Sequence, residues 1–242
     1  MKADGAGSEA AAADTGAAVA TRRRYHHGDL ANALTQEATA LAREGGPEAV
    51  VLREAARRVG VSPTAAYRHF AAHEDLLYTV KVKAQDELAS AMEQALEQMP
   101  LSGSAAEDAM MRSYVIGEAY VNFALAEPGL FRTAFVHIDG VHLPQPCSQV
   151  TEGGSEPIQP PPGVEGFRSF QLLGGVLDDL VANGLLPAAR RPNAEFAPWS
   201  AVHGLATLFL DGPLDILPKE QREQVLRSTL DTIVKGLVDG TS

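Results

Sequence analysis

Residues 51–70 read VLREAARRVGVSPTAAYRHF, two short helical stretches divided by a glycine and restarted at a Ser-Pro pair. Ala56 is small where two helices would cross closely, Gly60 suits a sharp left-handed turn, and Ala66 returns a small face to the core. That spacing describes a helix-turn-helix. Ser62 can accept a hydrogen bond from the opening turn of the second helix, and Pro63 at its first position gives up an N–H that has no partner there in any case. The second helix is therefore predicted to start at a defined point and to run for only about two turns.

So short a helix has few outward side chains. With Ala66 and Phe70 facing inward, Thr64, Ala65, Tyr67, Arg68 and His69 remain for a nucleic acid. Thr64 and Ala65 are small enough for close approach to base edges, including thymine methyls. Tyr67 and His69 suit phosphate oxygens, which position a helix without reading sequence, and Arg68 suits either task. The competing reading is that Tyr67 and His69 only cover a small core.

The rest of the chain is helical in pattern. Residues 1–21 are rich in Ala and Gly without amphipathic order and are expected to be disordered. Arg22, Arg23 and Arg24 follow as a basic arm that could reach an adjacent minor groove, or stand as a solvated charge run. A first helix is predicted over 29–44, ending at Gly45-Gly46. A long one is predicted from His73 to about Gln98, where Leu77, Val80, Ala84, Leu88, Ala91 and Ala95 keep helical spacing until Pro100. Further helices are expected near 105–126, 129–136, 164–183, 194–211 and 219–238. Residues 139–163 carry clustered Pro and Gly and are expected to form a mobile loop.

Three groups of residues carry a resemblance to a known family: RYHHGDL at 24–30, the helix-turn-helix with YRHF and AAHEDLL, and AYVNFALAEPGLFRTAF at 119–135 with PWSAVHGLATLFLDG at 198–212. Together they resemble TetR-family transcriptional regulators with a C-terminal domain named for a Trp-His-Gly signature, here Trp199, His203 and Gly204. The resemblance implies an all-α chain of about nine helices. A three-helix DNA-binding domain would occupy 22–72, and an effector-binding and dimerisation domain 73–242. It also implies a homodimeric, ligand-responsive repressor on a near-palindromic operator in double-stranded DNA. The candidate DNA contacts become Arg22, Arg23, Arg24, Arg53, Ser62, Thr64, Ala65, Tyr67, Arg68, His69 and His73. Two positions depart from the pattern. Val51 stands where relatives usually carry a capping Ser or Thr, and His73 where they usually carry Lys, which makes that phosphate contact weaker and sensitive to pH.

In this fold the C-terminal helices enclose a ligand cavity and the long helix links it to the DNA-reading unit. Tyr120, Phe123, Phe131, Phe135, Phe170 and Trp199 are the candidate walls for an effector of unknown identity, with Asn122, His137 and His203 as candidate polar contacts. His203 lies on an otherwise apolar helical face, which equally suits a core histidine bonded to a backbone carbonyl or packed at the dimer interface. Gly204 would permit close helix approach. In the family, the last two helices of each subunit build a four-helix bundle, and Val202, Leu205, Leu208 and Phe209, with Val225, Leu226, Ile233 and Leu237, are the stripes available for it. A relative of this kind controlled by a protein partner, without a small-molecule ligand, is the alternative.

The net charge of −11 is not spread evenly. Residues 22–70 hold eight arginines against five acids, a balance of +3. A local basic face can bind phosphate while remote acid keeps the chain soluble, because attraction falls off over about a Debye length, ~10 Å at 0.1 M salt. The acid elsewhere admits a cationic ligand or, more simply, a solvated surface. The single cysteine, Cys147, rules out an internal disulfide framework and a Cys-rich zinc site, and the N-terminus lacks the compact apolar core of a signal peptide. With no apolar run of spanning length, a cytoplasmic protein without membrane contact is expected. Catalysis is not expected either. His137, Asp139 and His142 lack a third positioned ligand, Asp178 and Asp179 diverge by about 100° on a helix, and no phosphate loop or nucleophile elbow occurs. No cofactor or metal is implied.

Overall fold

The computed structural model describes residues 30–138 and 167–238, and among these every regular element is a helix. The expected disordered tail, the Arg22–Arg24 arm and the expected loop over 139–163 lie outside the described residues. The elements are α1 (Leu30–Gly45), α2 (Leu52–Val59), α3 (Pro63–Ala66), α4 (His73–Glu97), α5 (Ala105–Ala126), α6 (Pro128–Phe135), α7 (Arg168–Ala182), α8 (Phe196–Leu210) and α9 (Lys219–Val238). Single 3-10 turns at Pro47–Ala49 and Ala188–Arg190 join them.

The helix ends have local causes. Gly60 sits at φ 80° and donates to the Ala56 carbonyl, which also takes the Val61 N–H, so α2 closes on a left-handed residue and the chain reverses at once. Ser62 Oγ accepts the Ala65 N–H at 3.2 Å and Pro63 opens α3. Turns then continue beyond α3, with Phe70 N–H donating to the Ala66 carbonyl at 3.1 Å. Val51 opens α2 with no side-chain cap. The Asp75 carboxylate reaches back to the Ala72 N–H at 3.0 Å and fixes where the long α4 begins.

One hydrophobic core runs through α1–α3 and on through α4–α6, α8 and α9. A smaller cluster, Ala109, Leu177, Leu180, Leu186 and Ala194, seats α7 on the start of α5. The N-terminal unit joins the rest where α1 packs on both α4 and α6. A Cβ placed on Gly129 would lie 2.2 Å from the Ala42 carbonyl oxygen and 2.7 Å from that of Arg43, so α6 and α1 touch backbone to backbone and only glycine fits. Arg43 spans the same joint, donating to Glu87 of α4 at 2.6 Å and to Glu127 at 2.9 Å.

The last helices divide their apolar residues between the chain's own core and its surface. Val202, Leu205, Phe209 and Leu226 are buried within the chain itself, so those stripes are largely spent on intrachain packing, whereas Leu208 stays 41% exposed. Gly204 meets no atom within 4 Å of where a Cβ would stand, so no helix of this chain approaches it closely; the close approach is at Gly117, under Leu230.

Candidate nucleic-acid interface and effector cavity

The outward face of α3 follows from what its inward face must bury. Ala66 is fully buried and Phe70 nearly so, both in the core with Leu34, Ala55 and Ala56. Thr64, Tyr67, Arg68 and His69 are exposed and Ala65 is half-buried. Tyr67 is a large ring left 44% exposed. Ser62, Arg53 and His73 are exposed beside it, Ser62 with its oxygen committed to the cap.

The arginines of this unit divide into two kinds. Arg58 donates to both oxygens of Glu44 at 2.7 Å and to Glu54 at 3.1 Å, and Arg57 holds the same Glu54 through two bonds of 2.7 and 2.8 Å. Those two guanidinium groups draw the Glu54 carboxyl down to about 2. Arg53 and Arg68 make no ion pair with a described residue, so they are the described guanidinium groups of α2 and the α3 turn available to an outside anion. Arg57 and Arg58 are neutralised in place, a distinction that counting charges along the chain does not make.

Behind α4 lies a cavity with about 50 Å³ of room for the centre of a water-sized sphere. Met92 of α4, Ile116 and Tyr120 of α5, Phe170 and Leu177 of α7, Trp199 and Val202 of α8, and Leu230 and Val234 of α9 are among its walls. Of the residues singled out in the sequence, Tyr120, Phe170 and Trp199 line it and the other six do not. Phe131 and Phe135 stack behind Tyr120, with ring centroids 5.6 and 6.2 Å from it, and Phe123 is buried in the core. Asn122 is exposed and borders a separate surface groove beside Lys219 and Arg222, and His137 is exposed at the end of the segment that follows α6.

His203 is held by a side chain rather than by a backbone carbonyl. Its Nδ1 lies 2.9 Å from the Tyr120 hydroxyl, and it packs against Phe135 at 4.6 Å between centroids. Burial lowers the histidine pKa and raises that of Tyr120, so both groups stay neutral near pH 7. Trp199, one turn earlier on α8, packs beside this pair, its ring 6.1 Å from that of His203 between centroids. The Trp and His of the signature thus sit together beside one phenol.

A second polar link was not anticipated. Gln85 on α4 is buried; its amide donates to the Ala134 carbonyl at the end of α6 at 2.7 Å, and its oxygen accepts from Ser169 of α7, a cavity wall, across 3.4 Å. One turn earlier Lys81 donates to the Val136 carbonyl at 2.8 Å, and its partial burial lowers its pKa. Two polar residues at four-residue spacing, beside the apolar stripe of Leu77, Val80, Ala84 and Leu88, were the available signal for both.

Among the described residues no three His, Cys, Asp or Glu side chains are placed to hold a metal ion, and Asp139 and His142 lie outside them. Asp178 and Asp179 diverge to Arg191 and Arg112 respectively. No described helix is long and apolar enough to cross a membrane.

Comparison with known proteins assigns this architecture. Residues 34–79 match the family model of bacterial regulatory proteins of the tetR family, and residues 113–233, half of the chain, match that of the tetracyclin repressor-like C-terminal domain. Among solved structures, a protein of unknown function from Rhodococcus sp. RHA1 is similar at 25% identity and a TM-score of 0.64, over 89% of this chain and 99% of that one. The TetR-family transcriptional regulator PfmR from Thermus thermophilus shares the fold at 22% identity and a TM-score of 0.50, over 84% and 98% of the two chains. A bacterial regulatory protein of the tetR family from Rhodococcus RHA1 shares it at 16% identity and 0.53, over 84% and 96%. No curated protein matches. The helix-turn-helix, the long α4 and the hollow body of α5–α9 behind it are those of a family to which this chain belongs: it is a TetR-family transcriptional regulator.

Proposed function

We propose that the protein binds a near-palindromic operator as a homodimer in the cytoplasm, represses there, and is released by a small molecule held in the cavity behind α4. The observation that carries the DNA role is the face of α3, where Thr64, Tyr67, Arg68 and His69 stand outward while Ala66 and Phe70 anchor the helix. Arg53, Arg68 and His73 supply phosphate contacts, and Arg22–Arg24 extend them from the N-terminal side. The exposed Leu208 and the open space over Gly204 suit α8 to a second copy of the chain. The cavity supports the ligand-responsive form over control by a protein partner alone, since a regulator without a ligand has no use for a hollow there.

The test is selection of bound fragments from a pool of the organism's own DNA at near-physiological salt, followed by sequencing. Enrichment of one near-palindrome is expected, and no enrichment by a stable dimer would overturn the operator-binding reading. Deleting Arg22–Arg24 should then flatten the salt dependence of binding by about 0.9 in log–log slope for each phosphate that the arm neutralises. An unchanged slope would remove the arm from the interface.

A further inference from the structure

We infer that the ligand of this cavity is an uncharged, mostly hydrocarbon molecule bearing one hydrogen-bond acceptor, and that Ser169 is the group that meets it. The inference rests on the effector cavity proposed above and concerns what that cavity selects.

Among the described residues the walls contain no Asp, Glu, Lys, Arg or His, so an ion entering would lose water and find no counter-charge from them. The acid that gives the chain its net charge of −11 does not extend into this space, which removes the reason to expect a cation. The room available, about 50 Å³, is several times the roughly 10–15 Å³ one water needs on the same measure, and it favours a slender molecule.

Among the described wall residues four carry a side-chain polar atom: Ser113, Tyr120, Ser169 and Trp199. Tyr120 is engaged with His203 at 2.9 Å, and Trp199 packs edge-on to Phe170 with its indole beside that same hydroxyl. Ser113 donates to the Ala109 carbonyl of its own helix at the same 3.4 Å, but that carbonyl already takes a backbone N–H of the α5 ladder, so turning this hydroxyl toward a ligand strands nothing outside α5. Ser169 donates across 3.4 Å to Gln85, well beyond the usual O–H···O length of about 2.5–3.0 Å. A carbonyl or ether oxygen at ordinary distance would outcompete so long a bond. Taking that hydrogen leaves the buried Gln85 oxygen of α4 without its donor, so occupancy is felt on the helix that leads to the DNA-reading unit.

Trp199 is the only tryptophan of the chain and forms part of the wall, so its emission reports occupancy directly. The full-length protein is titrated at neutral pH with 2-heptanone, heptanoate and heptylamine, matched in chain length and differing in charge. The ketone should half-saturate the emission change at a concentration at least about tenfold lower than either ion. Ser169→Ala should weaken the ketone about five- to tenfold, and Ser113→Ala should not. Heptanoate or heptylamine acting as tightly as the ketone would overturn the ligand class while leaving the cavity reading intact. A ketone indifferent to Ser169→Ala would overturn the assignment of Ser169. Emission of the folded protein that no compound changes would overturn the cavity reading itself, and this inference with it.

Discussion

The two ends of this molecule solve the packing problem in opposite ways. In α1–α3 the interior is made of small and branched residues, and Leu34, Ala38, Ala42, Ala55, Ala56 and Ala66 are all at 0% exposure. Among α4, α5, α7, α8 and α9 the side chains are larger and a hollow remains between them. Small residues let short helices close completely, which holds the outward face of α3 in one geometry. Large residues around a void leave alternatives of similar energy, which suits a part that must change shape when it is filled. A regulator of this kind needs one stiff surface and one yielding interior, and the chain separates them along α4.

The largest expected effect comes from attacking the joint between the two parts. Gly129→Ala puts a methyl 2.2 Å from a backbone oxygen that cannot rotate away, so a stability loss of about 3 kcal/mol is expected in urea unfolding. Wild-type stability in that variant would show that α6 slides freely on α1. Tyr67→Ala tests the stiff surface: operator affinity should fall by about 1–3 kcal/mol with the dimer and the unfolding curve unchanged. Loss of the dimer or of stability would make Tyr67 structural. Gln85→Leu should cost about 1–2 kcal/mol, because it strands the Ala134 carbonyl and the Ser169 hydroxyl, and it should also blunt any ligand effect on DNA binding. An unaltered ligand response would take Gln85 out of the path between the parts.

Smaller effects appear with pH. The folded pKa of His203 is depressed below its ordinary 6.5, so the unfolded chain takes up that proton first. Its contribution should be whole above pH 6.5 and decline as pH falls below it, and His203→Gln should flatten that part of a stability-against-pH curve. Glu54 acts lower on the scale. Its carboxyl is held at about 2 against an ordinary 4.5, so the clamp on Arg57 and Arg58 is intact above pH 4.5 and is lost as pH falls toward 2. Glu54→Gln should free Arg57 while Glu44 keeps Arg58, giving slightly tighter operator binding at low salt and a steeper salt dependence, measurable by fluorescence anisotropy. No change in slope would mean that Arg57 points away from DNA.

The helices were legible in the sequence because their limits are written locally. Gly60, Ser62-Pro63, Gly45-Gly46 and Pro100 each set a turn through their own backbone chemistry, and the inward turn of Ala66 and Phe70 follows from helical period alone. The cavity was only partly legible. Phe131 and Phe135 have the same aromatic character as Phe170 and Trp199, and which side of Tyr120 is hollow depends on how α5, α7 and α8 cross. Leu230 and Val234 line the space from α9, the second of the two helices the sequence offers for a subunit bundle. Gly204 looked like a site of close approach, yet among α5, α8 and α9 the crowded glycine is Gly117, under Leu230, because a glycine's neighbours are set by tertiary packing. The Glu54 clamp shows a similar limit: Arg53, Arg57 and Arg58 are alike in sequence, and only their partners separate them.

The joint at Gly129 also bears on how such a molecule could be rebuilt. A chimera that takes its DNA-reading unit from another regulator and its sensing body from this one has an obvious seam at Ala72-His73, where α4 begins. That seam cuts the chain but leaves a second junction, between the end of α1 and the start of α6, made of carbonyl oxygens against a bare Cα and secured by Arg43 reaching Glu87 and Glu127. A donor unit whose first helix ends one residue early or late, or lacks the arginine, would be joined at the hinge and loose at the bearing. Such a hybrid could still bind both DNA and ligand while passing nothing between them.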